Sequence, residues 1–405
     1  MDAVRGRRRA WLTERERHFL FASVEGRSPR GGRPSCIFAP WGQGVSSREK
    51  GNGMITMITS PSGYYFSSDV PDVKWSMTGD HAYVAIYIDD DETHMFGETL
   101  FPDRDGTVTM SDMGGLLLPY AKSRMTIAVR VKIREEDAEF ETMGERELSF
   151  NVVYCAADVG TTASDFWGRH FLTLLDGPKV TAEGRLEYVH YIDPEGEATP
   201  RVTAAYGDGS TAEFAPEAVG DNACKTLDVS PGLFKKEGKL LVGYTVSAGD
   251  RLQAFEMDLS TPDCAPVLIF VNSFGCDELV YCTGTHKVAP KYERSSAYVD
   301  GLKRNYQIEE TREFTADTGV LNFAMANWLD DLFRSDSVRV VNFYDGEATV
   351  GKEVTITESK SEYTNDEDEL PRFSITYQYA QKNHNVMDLR RGGRIFDNTF
   401  DYTFD

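Results

Sequence analysis

Two neighbouring apolar runs decide most of what the last third of this chain can become. Val267-Leu268-Ile269-Phe270-Val271 and Leu279-Val280-Tyr281-Cys282 flank a Phe-Gly-Cys-Asp-Glu break at 274–278. Short apolar runs bounded by a turn signal predict a β-hairpin. A third extended segment is expected from Tyr306 to Phe314, then a turn at Thr315-Ala316-Asp317-Thr318-Gly319, then a helix over about Val320 to Phe333. Leu321, Ala324, Met325, Trp328, Leu329 and Leu332 recur at intervals of three and four, so they share one helical face. Leu321, Trp328, Leu329 and Leu332 are the expected core anchors, each contributing roughly 1.5–3 kcal/mol when buried against a sheet. Such a Trp and Met stripe reads as core rather than as a cofactor box. Asp317 or Thr318 is expected to cap the helix. Asp330 and Asp331 fall near its C-terminal end, where the macrodipole disfavours negative charge. Phe373 to Tyr379 supplies a closing strand.

The preceding residues are β-like. Met125 to Ile133 alternates apolar and polar, and Leu148 to Tyr154 repeats the pattern, so each buries one face. Tyr83 to Ile88 is small or apolar on both faces. Turn signals at Asp89-Asp90-Asp91 and Pro102 to Gly106 separate these strands. A Gly/Thr/Ser/Asp-rich break at Asp158 to Asp165 leads to a second β region, whose clearest strands are Leu186 to Ile192 and Leu240 to Val246. Tyr206-Gly207-Asp208-Gly209-Ser210 predicts a tight hairpin turn with positive φ. The expected fold is mainly β, with tandem antiparallel β-sandwich-like domains at 54–155 and 156–265. A C-terminal α+β module with one prominent amphipathic helix follows at 266–385, and an aromatic, acidic tail at 386–405.

Charge sets the first 53 residues apart. They hold 11 basic and 5 acidic residues, a net of +6, whereas residues 54–405 carry −28 of the chain's total of −22. The segment is read as a basic leader, expected to be disordered, with Met54 as the alternative start of translation. Purine-rich codons for Glu49-Lys50-Gly51 would resemble a ribosome-binding site just before it. The acidic balance argues against direct nucleic-acid binding by the body. Nothing approaches the apolar length of a spanning helix, so no membrane insertion is expected.

Candidate chemistry is sparse. Cys264, Cys276, Cys282 and His286 invite a zinc reading but lack a close Cys pair. Asp89 to Glu92 with His94 is the densest carboxylate group; it reads as a hairpin tip rather than a calcium loop. Glu309 and Glu313 share a strand face and could serve a glycosidase, given a cleft, but read as a charged sheet surface. Tyr64, Tyr65 and Phe66 could stack on a sugar, or pack in the core. No nucleotide, nucleophile-elbow or metalloprotease motif is present. No catalytic residue, cofactor or metal is therefore expected. In the tail, Phe396, Phe400, Tyr402 and Phe404 are the expected interface residues, able to order against a partner's groove or sheet edge.

Several short motifs resemble virion proteins encoded by phages and prophages of Bacteroidetes-type bacteria. They are Val271-Asn272-Ser273-Phe274-Gly275, an extended segment containing Arg304, Thr318-Gly319 before the helix, Trp328-Leu329 within it, Leu332 to Ser335 at its end, and a late alternating strand. Ser60-Pro61, opening the front half, belongs to the same pattern. The resemblance implies a non-enzymatic structural component of a phage tail or baseplate. Its partners would be other tail subunits, including further copies of itself, and its location the virion. A cell-surface adhesin or carbohydrate-binding β-sandwich protein is the main alternative. A glycan-active enzyme is a further one.

Overall fold

A computed structural model describes residues 55–381, except 90, 92–93, 195, 221–223, 345–346, 365–368 and the side chains of 344 and 347. The leader and tail readings, including Phe396, Phe400, Tyr402 and Phe404, therefore lie outside the described residues. The chain is mainly β, with several sheets and three described helices.

The first unit contains β1 (Thr56–Thr59), β2 (Gly63–Phe66), β3 (Val73–Ser76), β4 (His81–Ile88), β5 (Phe96–Leu100), β6 (Thr107–Met110), α1 (Met113–Arg124), β7 (Thr126–Glu136) and β8 (Thr142–Val153). A five-stranded sheet in the order β2-β8-β7-β4-β5 belongs to the same core as a three-stranded sheet, β1-β3-β6. The alternation of β7 does what its pattern predicts. Ile127, Val129, Val131 and Ile133 point into a core with Trp75, Val84 and Ile86. Arg130 and Lys132 lie over the ring of Tyr87 on the outer face.

Two features depart from the expected antiparallel sandwich. β2 joins β8 in parallel, and α1 is a helix that the sequence reading lacks. Gly114-Gly115 and Pro119 hide it, because both residue types oppose helix. It forms because Met113, Leu117 and Ala121 bury one stripe against the core, and Asp112 caps Gly115 N at 3.2 Å.

The second unit comprises α2 (Ala163–Arg169), β9 (Lys179–Thr181), β10 (Tyr188–Ile192), β11 (Pro200–Tyr206), β12 (Thr211–Phe214), β13 (Ala218–Val219), β14 (Cys224–Asp228), β15 (Leu241–Ala248) and β16 (Arg251–Met257). Sheets β12-β11-β15-β16-β9 and β10-β14-β13 enclose Val202, Ala204, Tyr244, Val246, Phe255 and Leu227. Gly209 takes a φ of 80° in the expected turn between β11 and β12. β9 is again a parallel exception, beside β16. The Asp158 to Asp165 break leads directly into α2. Phe166 and Trp167 pack there with Phe66 from β2, Ile192 from β10 and Phe274. Tyr64, Tyr65 and Phe66 accordingly serve packing. Phe66 is fully buried, Tyr64 meets Trp167 edge-on at 5.4 Å, and Tyr65 meets Phe150 at 6.2 Å.

The third unit is one antiparallel sheet of seven strands. They are β17 (Val267–Val271), β18 (Asp277–Tyr281), β19 (His286–Val299), β20 (Leu302–Val320), β21 (Val338–Tyr344), β22 (Glu347–Lys360) and β23 (Arg372–Tyr379), in the order β18-β17-β21-β22-β23-β20-β19. Helix α3 (Phe323–Arg334) shares a core with one face of it. Leu321, Trp328, Leu329 and Leu332 are buried with Leu268, Phe270, Phe373 and Ile375.

The start of α3 corrects the expected cap. Asn322 is the N-cap, accepting from Met325 N at 2.7 Å. Asp317 and Thr318 remain in β20. Asp317 instead accepts from Gly319 N at 2.8 Å and from Arg372 Nε at 2.7 Å, and Thr318 Oγ1 accepts from Phe373 N at 3.0 Å. These bonds hold the expected turn residues in an irregular strand, with Gly319 at a φ of 77°. Asp331 keeps its expected place near the other end of the helix. It is buried and accepts from Ser273 N at 3.0 and 3.1 Å and from Ser273 Oγ, so the adverse macrodipole is answered by hydrogen bonds.

Candidate functional site

The expected third segment, Tyr306 to Phe314, is only the middle of a much longer strand. β19 and β20 pair from His286–Ala316 out to Val299–Leu302, whereas β23 accompanies β20 only as far as Glu313. Beyond that level no other described strand pairs with the hairpin, so Pro290 to Arg312 forms an arm. From Pro290 to Val299 it reaches about 30 Å at the rise of a β-strand.

The arm has a firm mounting. His286, Phe314 and Tyr377 form a near-parallel stack at its base. His286 and Phe314 centroids lie 5.9 Å apart and Phe314 and Tyr377 centroids 5.1 Å apart, while His286 Nε2 and Tyr377 Oη share a hydrogen bond of 2.9 Å. At the tip, Asp300 and Gly301 have φ of 53° and 75°, the left-handed pair that a two-residue hairpin turn requires. Isolated hairpins are marginal in water, so the cross-strand pairs matter. Across the strands Lys291 Nζ donates to Glu313 Oε2 at 2.6 Å, while along β20 Gln307 Nε2 donates to Glu309 Oε1 at 2.6 Å and Arg312 to Glu310. Glu309 thus stands on the exposed arm, and Glu313 sits half-buried at its base within an ion pair.

Register makes the arm two-faced. Val288, Pro290, Tyr292 and Arg294 fall on the side of Ile308, Glu310 and Arg312, whereas Lys287, Lys291 and Glu293 fall on the side of Glu309 and Thr311. A bulge at Tyr306, where Ser295 pairs with Gln307 and Ser296 with Asn305, disturbs the alternation. The outer half exposes Tyr298, Val299, Leu302, Tyr306 and Ile308; Tyr298 is 77% and Tyr306 71% accessible. Apolar side chains thus continue from the module's own core at Phe314 and Ala316 into solvent, interleaved on that face with Arg294, Glu310 and Arg312.

A second concentration of polar side chains joins units two and three. Lys179 on β9 bonds Glu187 Oε2 at 2.7 Å and Leu279 O at 3.3 Å, and lies 4.8 Å from the Trp328 ring centroid. Trp328 Nε1 donates to Glu278, which also accepts from Asn272 Nδ2 at 2.6 Å. Asn272 Oδ1 accepts from Phe274 N and Cys276 N, both at 2.9 Å, so one side chain shapes the hairpin turn and ties it to Glu278. Burial raises the Glu278 carboxyl above its ordinary range. The groups are buried and turned toward one another, an arrangement that fixes a joint rather than presenting a reacting atom to solvent.

His190 belongs to the same joint. Its Nδ1 lies 2.9 Å from Thr226 Oγ1 and its Nε2 3.0 Å from Asp277 O, an arrangement that suits the neutral ring. Burial lowers its pKa from 6.5 to about 4. The unfolded chain therefore binds the extra proton first. His190 contributes full stability above pH 6.5 and loses it as pH falls to about 4, at about 1.4 kcal/mol per pH unit. His190→Gln should flatten that part of the acid limb in urea melts taken from pH 7 to pH 4. An unchanged slope would show that the ring is not the titrating group.

The remaining candidate residues are dispersed. Cys264 lies beside Arg185, Cys276 beside Cys224, and Cys282 in the core under α3. Among the described residues no three His, Cys, Asp or Glu side chains are grouped to hold a metal ion. Asp89 accepts from Ala128 N at 3.0 Å and pairs with Arg124. Asp90 and Glu92 lie outside the described residues. Sequence reasoning missed the arm, although Asp300-Gly301 is a hairpin signal. It also missed Lys179, Glu187 and His190, whose separations carry no motif.

No family model matches the chain. No curated protein matches it either. Among solved structures, a run of domains from titin is similar at 11% identity and a TM-score of 0.22, covering 65% of this chain and 92% of the titin chain. A chimeric titin Z1Z2 tandem bearing an exogenous fibronectin peptide reaches 11% identity and a TM-score of 0.15, covering 51% and 100%. Superpositions that poor place no constraint on this chain.

Proposed function

We propose that this chain is a non-enzymatic structural subunit that works by assembly, and that the β19–β20 arm is its contact element. The observation that carries the reading is the arm itself: a firmly mounted hairpin whose exposed aromatic and aliphatic side chains and strand edges extend past the body that should cover them. A long exposed edge is a liability in an isolated protein. It is retained where a neighbour covers it. The phage tail or baseplate role implied by the short motifs fits such an element, with the virion as location and other tail subunits as partners.

Replacing residues 290–312 by a two-residue turn between Ala289 and Glu313 should leave the melting temperature nearly unchanged and abolish incorporation into particles. Deleting 386–405 in parallel tests the aromatic tail. Normal incorporation of the arm-deleted chain would reject the reading, and glycan hydrolysis by the purified chain would overturn its non-enzymatic part. The exposed Tyr292, Tyr298 and Tyr306 also suit stacking on sugar rings, which favours the adhesin alternative. Saturable glycan binding lost in Tyr298→Ala would support that alternative instead.

A further inference from the structure

We infer that the outer half of the arm docks on the body of a second copy of this chain, head to tail; this rests on the assembly reading above and names the partner. Charge is the first ground. Residues 294–306 hold Arg294, Lys303 and Arg304 against Asp300 alone, a net of +2 on a chain of −22. A basic, apolar tip complements the acidic body of its own kind, and attraction of that sort steers encounter.

The edge chemistry localises the contact. β19 is the outermost strand of its sheet, and its inner half carries Lys287, Pro290, Lys291 and Glu293, residue types that discourage strand addition. The outer half, Ser295-Ser296-Ala297-Tyr298-Val299, has neither charge nor proline. At the opposite end of the sheet β18 is mostly buried, and Tyr281 bonds Leu186 of the second unit. One end of the sheet is thus closed within the molecule and the other is open along a stretch without such residues.

Two other occupants fit less well. Tip-to-tip pairing of two arms would oppose Arg294, Lys303 and Arg304 to their own copies. A lipid surface would bury Tyr298 and Val299 but leave the strand-edge amides and carbonyls without partners. A tip on one molecule meeting the body of the next is a heterologous contact, so copies add on as rings or filaments.

Sedimentation of the full chain over rising concentration tests this. The expected result is mass growing past the dimer, weakened by salt. The triple variant Arg294→Glu, Lys303→Glu, Arg304→Glu should weaken self-association at least about tenfold with no change in melting temperature. Mixed in small amounts with the unsubstituted chain, it should shorten assemblies, because its body still accepts a tip while its own tip cannot extend. A benzophenone attached at Tyr298→Cys should crosslink to the body of another copy. A monomer at every concentration, a dimer whose crosslinks join tip to tip, or a monomer taken up by phosphatidylserine vesicles would each overturn the inference. Should the chain stay monomeric while arm deletion still blocks entry into particles, only the partner assignment falls. If the arm-deleted chain also enters particles normally, the assembly reading falls with it.

Discussion

Trp328→Ala should cost about 3–5 kcal/mol of folding stability, among the largest losses available to a single substitution here. The indole is 1% exposed, contacts Phe270 at a centroid distance of 5.8 Å, and lies between α3 and the seven-stranded sheet. Truncation opens a cavity that strand-borne neighbours cannot fill. It also removes the Nε1–H donor to Glu278, a carboxylate already held in a buried site, and the ring beneath Lys179. Trp328→Phe separates these effects, keeping most of the volume while removing the donor, and should cost about 1–3 kcal/mol. Urea melts of both variants provide the comparison. Equal losses would assign the effect to the hydrogen bond, and two silent variants would contradict the burial of the indole.

Lys179→Met should be comparably severe, at about 3–5 kcal/mol, for an electrostatic reason. Lys179 and Glu187 side chains are 8% and 1% exposed, and Glu187 Oε1 has no hydrogen-bond partner among the described residues. Removing the ammonium strands a carboxylate out of water. The double variant Lys179→Met, Glu187→Met should recover much of the loss, because desolvation of an ion pair offsets much of its attraction. A double variant as unstable as the single one would show that packing, not the stranded charge, governs this joint.

Local periodicity explains which parts of the fold could be read. The β7 alternation, the β17–β18 hairpin and the α3 stripe follow from neighbours in sequence, and the structure bears them out. Helix α1 was hidden because its Gly-Gly start and Pro119 oppose helix locally, and only the core around Trp75 overrides them. The N-cap of α3 moved from Asp317 or Thr318 to Asn322 because Arg372 and Phe373 N, distant in sequence, engage the two expected capping residues. The arm was readable at Asp300-Gly301, but the bulge at Tyr306 breaks the alternation that would have marked its strands. The joint was not readable at all. Lys179, Glu187, Glu278 and Trp328 meet only after separate strands and a helix have packed. Nothing in their spacing announces a common site. The motif Val271 to Gly275 acquires a physical content there: Asn272 orders the turn, Ser273 holds Asp331, and Phe274 fills the aromatic cluster.

The strand order of the third unit has a kinetic consequence. β17 pairs with β21, matching Val267 to Val341, while β19 and β20 are joined by two residues and lie between them in sequence. The hairpin can zip on the microsecond scale typical of such elements. Closure of β17 onto β21 must wait for a long loop to be drawn in, and pairings of that separation are slow. During synthesis the arm would emerge and form before β21 to β23 exist. Before the sheet closes, a nascent chain can therefore form the hairpin only marginally, and the arm gains its mounting when β23 brings in Tyr377. Amide protons of Tyr292 to Tyr306 should show weak protection earlier in refolding than those of Val267 to Val271, even though the final structure shelters the latter far better.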